Sequence, residues 1–227
     1  MPFRVVPLFN RIAISVFLYL PLSLVFSLQA MAQPPTASML ESLLITSMER
    51  AMEEGTPGAI IMVQTPSETH LLARGLADRS SDLAMSTDYL LRMGSVSKLY
   101  TAALIMDLIQ DSLIDLNATM ASYLNEQQLH RIANADTVTV RHLLNHTSGI
   151  PDYYNWQSVL FWDWEEALTP TRVLAHIRGK SPSHEAGAAY EYSNSNYHLL
   201  ALIAEAVTGD SFEQLQQVRV LDPAGLD

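Results

Sequence analysis

The chain has 227 residues, enough for one large domain or two small ones, and a 48% hydrophobic content that is ample for a core. Its 24 acidic residues outnumber 13 basic ones for a net charge of −11, an imbalance that argues against tracking the phosphates of a nucleic acid. There is no cysteine, which excludes a disulfide framework and a lipid-modified signal.

Residues 1–32 have the form of a secretory signal. Arg4 and Arg11 supply a positive start, Ile12 to Leu28 is apolar, and Ala30-Met31-Ala32 is a small-x-small site that places cleavage after Ala32. Pro21 interrupts the apolar run, whose length lies between a signal core and a membrane span, so an uncleaved N-terminal anchor is the alternative. An exported chain without disulfides suits a bacterial periplasm, or secretion.

Ser38 and Glu41 form a capping-box pattern ahead of Leu40, Leu43, Leu44, Met48 and Met52 at helical spacing, and Gly55 closes that helix. Ala59 to Gln64 and Thr69 to Gly75 read as the two strands of a hairpin around the loop 65–68. Residues 78–88 are polar, a loop with a weak edge segment. A lone hairpin is marginal in water, so these strands call for partners.

Val96 to Gln110 reads as one helix, apolar on nearly every side and therefore expected to be buried. At its start stands Ser95-Val96-Ser97-Lys98, the one S-x-x-K in a chain whose only lysines are Lys98 and Lys180. One helical turn puts the Ser95 hydroxyl beside the Lys98 amine, and a helix N-terminus favours negative charge developing there. The plain alternative is an N-cap serine followed by a lysine that reaches to solvent.

Thr139 caps a short predicted helix through Val140, Leu143 and Leu144, closed near Gly149. Ile150 to Trp164 is an aromatic-rich loop folded over something, with Tyr154 and Trp156 as possible cleft-lining residues. Thr169, Pro170 and Gly179 are N-cap, first-turn proline and C-terminal glycine of another helix. Asn196 to Thr208 is amphipathic and ends at Gly209. A last helix starts at Ser211 and is expected to stop before Pro223.

Tyr192-Ser193-Asn194 is a second candidate element. Its Y-x-N form also occurs at Tyr123 and Tyr153. Only Tyr192 lies between a turn at Gly187 and a helix start, from which a phenol and an amide can project into a cleft. The plain alternative is a core tyrosine with a satisfied hydroxyl.

In order along the chain, Gly94-Ser95-Val96-Ser97-Lys98, the run His142-Leu143-Leu144-Asn145-His146-Thr147-Ser148-Gly149-Ile150-Pro151, Glu185-Ala186-Gly187 and Tyr190-Glu191-Tyr192-Ser193-Asn194 resemble the serine beta-lactamase-related family. The branch is that of class C beta-lactamases, D-alanyl-D-alanine carboxypeptidases and esterases. The likeness runs from about Pro57 to Leu226.

It implies an α+β fold of the beta-lactamase/transpeptidase type, an antiparallel sheet with flanking helices plus a helical subdomain. Residues 33–227 would form that domain, with the first helix and strands in 33–93 and a mainly helical region in 94–227. It implies Ser95 as nucleophile, Lys98 as the group that lowers the barrier to deprotonating it, Tyr192 as the general base or as sharing a proton with Lys98, Asn194 as the residue that holds the substrate amide and orients Lys98, and the Ser95 N–H as one oxyanion donor. The His146-Thr147-Ser148-Gly149 turn is read as structural.

The implied activity is hydrolysis of an amide or ester (a beta-lactam, a D-Ala-D-Ala peptide or a simple ester) through an acyl-enzyme. The substrate would be a small molecule or peptide, with no cofactor, no metal and no nucleic acid. Where the family usually has Pro-Gly, this chain has Ala186-Gly187. The family's third element, a Lys- or His-containing tripeptide ending in glycine on a sheet strand, has no counterpart after Asn194. The chain therefore reads as the N-terminal part of a family member, with further sheet strands expected beyond Asp227. The alternative is a non-catalytic penicillin-recognising or remnant protein on the same fold.

Two other chemistries fail on the residues. His142 and His146 have zincin spacing, but Leu143 stands where that motif needs glutamate. Val96-Ser97 follows Ser95 where a nucleophile elbow needs a glycine two residues on.

Overall fold

The computed structural model describes residues 37–154 and 169–226. The signal segment, Trp156 and most of the aromatic loop lie outside the described residues. The chain divides into two compact units, one ending at Leu91 and the other beginning at Arg92.

In the first unit, helix α1 (Ala37–Glu53) packs mainly on the second of two antiparallel strands, β1 (Gly58–Gln64) and β2 (Thr69–Asp78). A two-residue strand β3 (Leu83–Ala84) adds to β2, so the sheet order is β1-β2-β3 and the weak edge segment becomes a real, short strand. The pairing runs from Gly58↔Gly75 to Gln64↔Thr69, around a loop in which the Glu68 N–H donates to Thr65 Oγ1 at 3.0 Å.

Gly75 does not end β2. It sits within the strand at φ +80°, where an added Cβ would collide with the Pro57 carbonyl oxygen. That is a backbone state glycine alone adopts cheaply. Met48 of α1 is buried here, whereas Met62 and Leu71 lie directly opposite each other in the register and both remain exposed. The capping-box expectation at Ser38 is corrected: the helix already includes Ala37, so Ser38 lies inside its first turn.

The second unit is helical. Its elements are a 3₁₀ turn (Gly94–Val96), α2 (Ser97–Gln110), a 3₁₀ turn (Met120–Ser122), α3 (Glu126–Leu129), α4 (Val140–Leu144), α5 (Pro170–Ile177), α6 (Asn194–Thr208) and α7 (Phe212–Gln216). The chain continues through a π turn (Gln217–Leu221) into α8 (Asp222–Ala224). Helices α2, α4 and α5 pack against α6 around a core that includes Leu104, Leu108, Leu143, Ile177, Leu200 and Ile203. Each such side chain contributes roughly 1.5–3 kcal/mol by leaving water.

The caps predicted at Thr139, Thr169 and Gly209 are present. The Thr139 hydroxyl accepts the His142 N–H, and His142 Nδ1 in turn accepts the Thr139 N–H, both at 3.3 Å. An imidazole thus takes the place that glutamate has in the usual box. Thr169 caps α5 ahead of Pro170, and Gly209 ends α6 in the left-handed region.

Three expectations are corrected. Helix α2 is not buried all round: Thr101, Leu104, Ile105 and Leu108 form its inner face at i, i+3, i+4, i+7, while Leu99 is 72% exposed and Met106 is also open, as is Val96 in the turn before it. Helix α6 begins at Asn194 rather than Asn196, with Ser193 as its N-cap residue. The last helical stretch does not stop before Pro223, because a proline in a helix's first turn gives up an N–H that has no partner there.

Candidate active site

The site lies in the second unit, where α2 and α6 present their N-terminal ends to one cleft of about 1090 Å³. Ser95 sits in the 3₁₀ turn, which the Ser97 hydroxyl braces by donating to the Gly94 carbonyl at 2.7 Å. Lys98 follows in the first turn of α2. Its Nζ donates to Ser95 Oγ at 3.4 Å and to Asn194 Oδ1 at 2.8 Å. The Tyr192 hydroxyl is hydrogen-bonded to Ser95 Oγ at 3.0 Å, and Lys98 Nζ stands 5.1 Å from the centre of the Tyr192 ring. All four residues singled out from the sequence, Ser95, Lys98, Tyr192 and Asn194, therefore converge on one serine oxygen and one ammonium. The other two Y-x-N tyrosines do not meet Ser95: Tyr123 accepts the Asp115 N–H, and Tyr153, although it lines the same cleft, is largely buried with its hydroxyl 3.2 Å from His198 Nε2.

Electrostatics favour proton movement at this point. Burial by itself would push the Tyr192 phenol up. Its interaction with Lys98 and its hydrogen bond with Ser95 outweigh that and hold the phenol below its ordinary value. A phenol so placed, 40% exposed and lining the cleft, is within reach of both the nucleophile and solvent.

The His146–Gly149 turn does structural work. His146 itself adopts φ +59°, a left-handed state uncommon for a residue with a side chain. Its ring lies against Tyr192 (4.4 Å between centroids, 31° apart) and Tyr197 (5.3 Å), and its Nδ1 accepts the Ser193 N–H at 3.2 Å. Burial first, and then the charge of Lys98, push the imidazole below its ordinary range, in keeping with a neutral ring that accepts at Nδ1. The Ser148 hydroxyl donates to Asn196 Oδ1 at 2.7 Å, which ties the same turn to α6. His142 and His146 do not act as a ligand pair, since one ring caps α4 and the other backs Tyr192. Among the described residues no group of histidine and acidic side chains is arranged to hold a metal ion.

Sequence reasoning missed Asp152. Its Oδ1 accepts the Asn194 backbone N–H at 3.1 Å and the Tyr154 N–H at 3.0 Å, and its Oδ2 accepts Asn194 Nδ2 at 2.8 Å. A single aspartate in a loop, 42 residues from its partner, carries no spacing signal. Its position directly after Ile150-Pro151, at the end of the most family-specific run, was the one available pointer. Tyr154 lines the cleft as its place in the aromatic loop suggested.

Residues 41–227 match the model of the Beta-lactamase family. A penicillin-binding protein 4 from Amycolatopsis lactamdurans is 30% identical over 174 residues, covering 77% of this chain and 44% of that protein. A D-aminopeptidase from Brucella anthropi is 30% identical over 172 residues, covering 75% of this chain and 32% of that protein. Among solved structures, a D-stereospecific amidohydrolase from a Streptomyces species superposes with a TM-score of 0.69 at 26% identity, covering 79% of this chain and 53% of that one. The chain thus spans less than half the length of these two curated relatives. With its α+β architecture and an ordered motif set inside the matched region, the chain belongs to the beta-lactamase family.

Proposed function

We propose that this chain carries the acylating centre of a serine hydrolase that cleaves an amide or ester bond through an acyl-enzyme on Ser95. One observation carries the reading: Ser95 Oγ is hydrogen-bonded to both the Tyr192 hydroxyl and Lys98 Nζ, while Asn194 anchors Lys98.

In the reaction Ser95 Oγ attacks the substrate carbonyl carbon. Its proton passes to the Tyr192 oxygen, whose basic form Lys98 stabilises. The oxyanion forms at the N-terminal end of α2, where the Ser95 N–H and the helix dipole favour negative charge. Collapse expels the amine or alcohol, which takes the proton back, and leaves the acyl group on Ser95. Water then releases the acid by the reverse sequence.

The relatives named D-aminopeptidase and D-stereospecific amidohydrolase favour an amide substrate with a D-configured residue. The signal-like residues 1–32 favour action in the periplasm or after secretion. The relative named penicillin-binding protein favours a second reading, a penicillin-recognising protein that is acylated but does not turn over.

Reaction with a fluorophosphonate and with a fluorescent penicillin tests both. Covalent labelling that disappears in Ser95→Ala is expected. Labelling with release of product supports the hydrolase, and labelling by penicillin without release supports the receptor. A folded wild-type protein that neither reagent labels would refute the acyl-enzyme chemistry.

A further inference from the structure

Asn194 has to do two things with one planar amide. Its oxygen must face Lys98, because an ammonium only donates. Nothing in the shape of the side chain enforces that, since oxygen and nitrogen ends occupy nearly the same space and a flip of the terminal torsion exchanges them. The surroundings decide it. Asp152 places a carboxylate oxygen 2.8 Å from the other end of the amide, and an ionised carboxylate only accepts. With Nδ2 on Asp152 and Oδ1 on Lys98, both contacts are charge-assisted hydrogen bonds. The flipped amide would set donor against ammonium and acceptor against carboxylate at both ends.

The aspartate is itself held. Its Oδ1 takes the Asn194 N–H at the start of α6 and the Tyr154 N–H of its own loop. Its neighbours are pinned independently: the buried Ser195 hydroxyl donates to the Pro151 carbonyl at 2.8 Å and accepts the Tyr153 N–H at 3.0 Å. The loop therefore has anchors on α6 besides the carboxylate, which adds its own bond to the Asn194 N–H and sets the polarity of the contact with the Asn194 amide.

We propose that Asp152 is a positioning residue that fixes the amide of Asn194 with its oxygen toward Lys98 and so holds the ammonium beside Ser95. This rests on the hydrolase reading above. The chain of contacts is Asp152 to Asn194 to Lys98 to Ser95, and Asp152 acts through it.

The test is a charge swap followed with p-nitrophenyl acetate, alongside fluorophosphonate labelling and thermal unfolding of each variant. Asp152→Asn lets the amide take either orientation. It is expected to lower kcat by about 10- to 100-fold, the scale of a misplacement near 1 Å, with KM changed less than about twofold. Asn194→Asp alone sets carboxylate against carboxylate and is expected to lose as much. The double variant, D152N with N194D, exchanges the two groups. The amide now at position 152 donates to the carboxylate now at position 194, and that carboxylate also accepts from Lys98, so every contact again has a donor and an acceptor. The carboxylate now at position 194 no longer offers an N–H to a substrate amide, so the readout is the ester, on which kcat is expected to recover about fivefold or more over the worse single variant.

A folded D152N with wild-type kcat overturns the proposal. So does a double variant no better than the worse single one. A D152N that does not fold makes the aspartate a stability residue and overturns it too. A wild-type protein that neither labels nor hydrolyses sinks the hydrolase reading itself, and this inference with it, whereas a labelled wild type with an indifferent Asp152 sinks this inference alone.

Discussion

Replacing Lys98 with methionine removes one charge and keeps most of the volume. In the structure that ammonium is 3.4 Å from Ser95 Oγ. A unit charge pair at this distance is worth about 5 kcal/mol at an effective dielectric of 20. Ser95 is exposed to the cleft, so solvent screening brings the contribution to roughly 3 kcal/mol. That corresponds to about 10²-fold in rate, at the lower end of what a positioned acid–base group contributes.

The pH profile carries a second signature. In the proposed reaction Tyr192 is the base and must be deprotonated, and Lys98 is one of the groups holding its phenol down. Without Lys98 the phenol rises, less of it is ionised at neutral pH, and the acid limb of kcat/KM moves toward higher pH. The assay is hydrolysis of a p-nitrophenyl ester by wild type and Lys98→Met across the range from neutral to alkaline, with the unfolding midpoint of each recorded. A folded variant within twofold of wild type at every pH would refute the reasoning, and so would a loss of rate whose profile stays in place.

His146→Asn keeps a residue that tolerates the left-handed backbone but removes the imidazole that backs Tyr192. Because the folded-state pKa of His146 is depressed, the unfolded chain binds a proton that the folded one does not. Stability from this source is fully present above about pH 6.5 and is lost as the pH falls from there toward the folded value. The wild-type midpoint is expected to drop on acidification through that window and to drop less in the variant, as melting curves at successive pH values will read. Activity should fall about tenfold as the Tyr192 ring loses its support. In the first unit, Gly75→Ala forces a Cβ into the left-handed region and against the Pro57 carbonyl, at a cost of about 1–3 kcal/mol or more. Urea unfolding followed by circular dichroism will read it, and an unchanged midpoint would contradict the stated strain.

What the sequence determined by itself is local. Ser95 and Lys98 are three residues apart, so one helical turn suffices to bring them together, whatever the rest of the chain does. Thr139 ahead of Val140, Thr169 ahead of Pro170, and Gly209 after Thr208 mark helix ends because capping chemistry acts within a few residues. The hairpin followed from two apolar runs and a short polar loop.

What only the tertiary structure decided joins distant positions. Which of three Y-x-N tyrosines meets Ser95 depends on α2 and α6 packing side by side, across 97 residues of chain. The neutral ring behind Tyr192 depends on a turn at His146 that a propensity argument does not place there. The polarity of the Asn194 amide depends on Asp152, whose residue type and spacing are ordinary. The open side of α2 also escaped composition, because an apolar run states what can be buried and not what covers it. Backbone chemistry is read over one or two turns, whereas a catalytic contact is a distance between side chains that only the packed chain defines.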